Sequence, residues 1–297
     1  MAGEVGDVQI NSTIESPITT RAFEKVVLPV GRYTEVFFQR YPSLRKLNGI
    51  TPEIYVSNPD QLKVLIAIAG FQDKHTKLFL EGHGAELAKD SNDTVITLGW
   101  PKLSDVVDLK WRAIADYLIA NGKKEISFFG TSYGGRESLI ALKKLRQLSS
   151  EGFETPIKDV VVVVAPVNKE SIQPISRMGI PNWLMVQATQ KVEPFITPIS
   201  TLFPSLRADA VRVRELLQGE QFKLGDFQEG QTIHYFGTDK EGQLDPLVNQ
   251  PIAIRQLREL GTKVIEHWYK PDPKIAHYPD QNELPRMVND AKSIFGQ

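Results

Sequence analysis

Cysteine is absent from all 297 residues. That excludes disulfides, a thiolate nucleophile, and zinc or iron–sulfur sites built on thiolates. Charge of either sign in excess is also lacking, since 35 basic residues face 36 acidic ones for a formal net charge of −1. Such a balance creates no general field for nucleic acid or anionic membranes, so neither partner is expected. Nowhere do about 18 apolar residues run together, the length a membrane-spanning helix needs, so no stable membrane insertion is expected. The opening residues, Met1 to Asp7, carry neither the basic patch nor the apolar stretch of a secretory signal, which makes a cytoplasmic protein the expectation.

What is present is a globular composition, 41% hydrophobic and 24% charged, on a chain long enough for one large domain with an insertion or for two ordinary ones. From Leu62 onward short apolar runs alternate with helical periodicities. Val64 to Ala69, Thr94 to Leu98, Ile126 to Phe129, Val160 to Val164, Ile233 to Phe236 and Lys263 to Trp268 read as strands. Helices are expected around Val107 to Leu118, after Ser132, between Pro246 and Leu260, and between Gln281 and Phe295. Strands too apolar to have a wet face, alternating with helices, imply an α/β fold: a mostly parallel twisted sheet covered by helices on both faces.

Two stretches break that rhythm. Residues 1–61 read as an N-terminal extension whose segment Arg32 to Tyr41 winds as an amphipathic helix stopping before Pro42. Its aromatics and arginines suit either a helix capping the core or a membrane-surface segment, and the former is the commoner case. Residues 168–229 are rich in proline and include Trp183, Phe195 and Phe203. A segment this long within a compact domain is more often functional than idle, and it is expected to form an inserted cap over the sheet's C-terminal edge. The core then comprises 62–167 and 230–297.

The chemistry centres on Gly130-Thr131-Ser132-Tyr133-Gly134-Gly135, placed between a buried strand and a helix. A serine hydroxyl is a poor nucleophile at neutral pH. It needs an imidazole to take its proton, an acid to orient that imidazole, and amides to hold the oxyanion. A tight strand-to-helix turn lifts the serine above the sheet, and small residues on both sides let the backbone fold that sharply. The amide of Tyr133 would point at the oxyanion from the positive end of the helix. A dinucleotide-binding turn fits less well, because the G-x-G-x-x-G spacing is missing.

In this motif and in its order of elements, the chain from about Leu62 to the end resembles the α/β-hydrolase family. The Gly-x-Ser-Tyr-Gly-Gly form is similar to that of many esterases, lipases and serine peptidases. The resemblance implies partners in the order serine, acid, histidine, with the acid after a late strand and the histidine before the final helix. Among His75, His83, His234, His267 and His277, only His277 has that position; His75 and His83 lie upstream of the serine, and His234 and His267 lie within expected strands. The spacing Gly242-x-x-Asp245-x-x-Val248 resembles the family's acid turn, although Asp245 followed by Pro246 also reads as a helix cap. Asp239, nearer the strand end, is the second candidate for the acid. A further oxyanion donor is implied after the first apolar strand, at Phe71 or next at Gln72. No histidine precedes Gly70 and no His-Gly-Gly-Gly run follows, a departure from the hormone-sensitive-lipase pattern.

The expected activity is therefore cleavage of a small-molecule carboxylic ester by Ser132, His277 and Asp245, with Phe71 and Tyr133 at the oxyanion and no metal or organic cofactor implied. A peptidase, thioesterase or acyltransferase would carry the same residues. A non-catalytic binding protein on the same scaffold is the reading from a different class.

Overall fold

The computed structural model describes residues 23–28, 30–42, 53–70, 83–89, 91–98, 107–173, 221–273 and 276–296. Among these residues eight strands form one sheet: β1 (Glu24–Val27), β2 (Glu53–Ser57), β3 (Lys63–Ile68), β4 (Thr94–Leu98), β5 (Glu125–Thr131), β6 (Ile157–Val163), β7 (Thr232–Gly237) and β8 (Lys263–Trp268). Their order across the sheet is β1-β2-β4-β3-β5-β6-β7-β8. β1 and β2 run antiparallel to their neighbours, and all pairs from β4 to β8 are parallel.

The α-helices among the described residues are α1 (Arg32–Arg40), α2 (His83–Ala88), α3 (Val107–Ala120), α4 (Tyr133–Ser149), α5 (Gln250–Glu259) and α6 (Leu284–Phe295). Because strand side chains alternate between faces, the central strands feed two cores. Val64, Ile66, Phe128, Val160 and Val162 pack with Trp111, Leu142 and Leu257 on one face. Leu65, Ala67, Phe129, Val161 and Val163 pack with Leu87, Met287 and Phe295 on the other. Burial on both sides is why these strands read as uninterrupted apolar runs.

Strands β1 and β2 fall inside the segment read as an N-terminal extension, where no strand was expected. Residues 24–27 and 53–57 add two antiparallel strands to the main sheet, with Ile54 and Val56 in the larger core. They escape a search for apolar runs because β1 has three exposed positions out of four and β2 mixes charged and apolar residues. α1 packs as a core-capping helix, burying Tyr33, Thr34, Phe37 and Phe38. Its open N-terminus is satisfied from α3: Asp116 accepts hydrogen bonds from the amides of Tyr33 (2.8 Å) and Thr34 (2.9 Å). Among the described residues no helix is long and apolar enough to cross a membrane.

Most of the expected cap, 174–220, lies outside the described residues. Its two ends do not. Asn168 donates to the carbonyl of Phe222 (3.1 Å) and accepts from its amide (2.8 Å), so the chain departs and returns at adjoining points. The returning end is anchored to α4, where Lys143 pairs with Asp226 at 3.0 Å and the Arg136 guanidinium lies over the Phe222 ring. Phe222 and Phe227 join the larger core.

Candidate active site

Chain order places the site. From β3 the chain crosses to β4 on one side and then to β5 on the other, so the crevice beyond the C-terminal ends of β3 and β5 is a topological switch point. Ser132 sits there, between the last residue of β5 and the first of α4. Its φ of 52° and ψ of −122° lie outside the ordinary regions for a side chain-bearing residue, as a sharp strand-to-helix bend requires. The glycines around it are forced by contact distances. A Cβ on Gly134 would stand 2.3 Å from the Ile68 carbonyl oxygen, and one on Gly130 would stand 2.4 Å from that of Gly134. A Cβ on Gly135 would meet that of Ala165 at 2.4 Å. Val164, just beyond β6, also has a positive φ, 45°, uncommon for a β-branched residue. Its amide donates to the Phe236 carbonyl (2.8 Å), and the Ser132 amide donates to that of Val163 (2.7 Å), so the bend is held by the neighbouring strand ends.

His277 Nε2 lies 2.8 Å from Ser132 Oγ, bridging 145 positions of sequence. His277 Nδ1 lies 3.0 Å from Asp245 Oδ2 and 3.1 Å from Oδ1. All three side chains are buried, at 6%, 1% and 0% exposure, so little bulk water competes with these contacts. Burial alone would raise the Asp245 pKa. Hydrogen bonds from His277, Gln250 and the Leu247 amide outweigh it and hold the carboxyl below the usual carboxylate range. Burial, reinforced by Asp245, pushes the neighbouring Tyr278 hydroxyl up, which keeps it neutral.

Asp239, the alternative acid, does not reach the imidazole. Its Oδ2 accepts from the amides of Leu244 (2.7 Å) and Asp245 (2.8 Å), and its Oδ1 has no hydrogen-bond partner among the described residues. The helix-cap reading of Asp245 needs correction. α5 begins four residues later than Pro246, at Gln250, and Asn249 caps it by accepting from the Ile252 amide (3.2 Å). Asp245 instead closes a turn, its Oδ1 accepting from the amides of Leu247 and Val248. Tyr133 opens α4 and is buried, which sets its amide at the positive end of that helix. Phe71 and Gln72 lie outside the described residues, as does His75. Gly70, which precedes Phe71, abuts Ser132: a Cβ there would stand 3.3 Å from the serine's.

Two supporting residues were not anticipated. Gln250 donates to Asp245 Oδ2 (2.8 Å), and Thr238 Oγ1 donates to the carbonyl of Ala276 (2.7 Å). A glutamine and a threonine near helix and strand ends carry no signature in sequence, so neither could be singled out. A cavity of about 610 Å³ opens at the far end of α4, lined by Leu145, Ser149, Phe153 and Phe227, and is separate from the serine.

His234 and His267 pair with each other across β7 and β8, Nδ1 to Nε2 at 3.1 Å. Burial, the neighbouring His267 and Lys263 lower the His234 pKa to about 4, and burial lowers that of His267 against the pull of Asp290. An unfolded histidine titrates near 6.5. Between that value and about 4 the unfolded chain binds protons that folded His234 refuses. The stabilisation is complete above pH 6.5 and drains away as pH falls towards 4. Thermal unfolding followed by circular dichroism should therefore show a midpoint that drops over this window, and a shallower drop in His234→Asn. Equal drops in both proteins would contradict the assignment.

No family model matches the chain, and no curated protein matches it in sequence. Solved structures do match in fold. A hyperthermophilic esterase from the archaeon Pyrobaculum calidifontis aligns over 92% of this chain and 85% of its own, with 15% identity and a TM-score of 0.53. A carboxyl esterase from the mycorrhizal fungus Tuber melanosporum aligns over 96% and 88%, with 14% identity and a TM-score of 0.55. The type II thioesterase BorB of the borrelidin biosynthetic cluster aligns over 80% and 96%, with 13% identity and a TM-score of 0.51.

Proposed function

We propose that this chain, which has the α/β-hydrolase fold, is a serine hydrolase that cleaves carboxylic esters through an acyl-enzyme. One observation carries the reading: Ser132 Oγ, His277 and Asp245 form an unbroken buried line at 2.8 and 3.0 Å, within the reach that proton transfer demands. In this scheme Ser132 Oγ attacks the ester carbonyl carbon while His277 Nε2 takes its proton, and Asp245 stabilises the resulting imidazolium. The tetrahedral oxyanion is held by the amides of Tyr133 and Phe71. As the carbon–oxygen bond to the alcohol breaks, His277 returns the proton to the leaving alkoxide. Water, deprotonated by His277, then releases the acid and restores Ser132. Residues 168–229 act as the cap that shapes the acyl or alcohol subsite. Esterase and thioesterase neighbours of the same fold support ester or thioester chemistry as the first to assay.

The test is labelling with a fluorophosphonate followed by mass spectrometry of the modified peptide. An adduct on Ser132 that vanishes in His277→Ala is expected. A folded protein that remains unlabelled would remove the mechanism and favour the binding-protein reading.

A further inference from the structure

We infer that Gln250 is a positioning residue for Asp245 and, through Thr238, for the loop that carries His277; the inference rests on the serine-hydrolase reading above. The Gln250 side chain has no solvent exposure, and its amide has four hydrogen-bonding capacities, all of them used. Its Oε1 accepts from the backbone amides of Thr238 (2.8 Å) and Asp239 (3.2 Å). Two N–H groups facing one end of the amide determine which end is oxygen, so the NH₂ must point the other way. There it donates to Asp245 Oδ2 (2.8 Å) and to Thr238 Oγ1 (3.0 Å). Thr238 Oγ1 in turn donates a hydrogen bond to the Ala276 carbonyl, one residue before His277.

The two oxygens of Asp245 are thus held from separate elements. Backbone amides of the 247–248 turn grip Oδ1 and Gln250 grips Oδ2, while His277 Nδ1 lies within 3.1 Å of both oxygens. Losing the Gln250 contact leaves the carboxylate pinned on one side only, and cuts the link from the acid to the histidine loop. Room for the amide comes from the end of β7, where a Cβ on Gly237 would lie 2.8 Å from Gln250 Oε1. A buried glutamine that served packing alone would not need to select one oxygen of a carboxylate that already has two backbone donors.

The experiment measures p-nitrophenyl butyrate hydrolysis by the full chain from pH 5 to 9 for Gln250→Met and Gln250→Glu. Thermal unfolding is recorded at each pH, and only folded samples are compared. Gln250→Met should lower kcat by about 10- to 100-fold at unchanged KM, the loss of one hydrogen bond to a charged group. Gln250→Glu keeps an oxygen towards Thr238 and Asp239. When protonated, it donates O–H to Asp245 as the amide does; when ionised, it sets carboxylate against carboxylate. A carboxylic acid has one O–H where the amide has two N–H, so the contact with Thr238 Oγ1 is lost at every pH, and kcat relative to the parent protein should be highest at low pH and fall as pH rises. The glutamate is isosteric with glutamine, so it carries the test alone if the methionine variant does not fold. A pH-independent ratio for Gln250→Glu would overturn the inference. Parent-level activity in Ser132→Ala would instead remove the reading on which it rests, whatever the Gln250 variants do.

Discussion

Replacing Ser132 by alanine is expected to lower hydrolysis of an activated ester by about 10⁴-fold or more, as deleting a serine nucleophile does when only binding and oxyanion stabilisation remain. Alanine removes one oxygen and keeps the Cβ, so the bend at φ 52° costs the two side chains nearly the same. The Ser132 side chain contributes its contact with His277, while its backbone is held by Val163 and the first turn of α4. The folded state should therefore survive with an unfolding midpoint close to the parent's. Initial rates with p-nitrophenyl butyrate, corrected for spontaneous hydrolysis, decide the matter. Retention of activity within tenfold of the parent would mean that some other group performs the chemistry.

The second large effect separates two aspartates six residues apart. In Asp245→Asn an amide NH₂ can turn towards His277 Nδ1, which favours the tautomer whose proton sits on Nε2, where the serine's proton must go. A loss of about 10⁴ in kcat is expected with the geometry otherwise intact. Asp239→Asn retains an oxygen for the amides of Leu244 and Asp245, which are its contacts in the turn. Its kcat should change by less than about tenfold, the size of one altered neutral hydrogen bond. Measured side by side at pH 8, the pair gives a ratio that assigns the acid. A large loss in Asp239→Asn beside a small one in Asp245→Asn would transfer the role to Asp239.

Much of this site is legible in sequence because much of it is local. A serine thrust out of a strand-to-helix bend needs glycines whose absent Cβ atoms let Ile68, Gly130 and Gly134 approach, and those glycines lie within five positions of each other. The parallel strands β3 to β7 stand out because burial on both faces leaves little place for polar residues. β1 does not, since this edge strand leaves three of its four positions exposed, and β2 does not, since Glu53 and Ser57 flank only three apolar or aromatic positions. The start of α5 was misjudged because Asp-Pro is a common helix opening, whereas here Asp245 closes a turn of its own and Asn249 caps the helix.

The amino-acid sequence by itself determined the alternation of elements and the bend at Ser132, since each is written in residues close together along the chain, while the short roster of partners came from the order of elements that the family resemblance implies. Which carboxylate meets the imidazole was decided only by the tertiary structure. Asp239 and Asp245 share one loop, and His277 approaches it from 32 positions beyond Asp245. The separation of their contacts follows from where the ends of β7 and α5 hold that loop, with Gln250 and Thr238 bridging it to Ala276. Contacts of that kind depend on distances in space, which neighbouring residues along a chain do not encode.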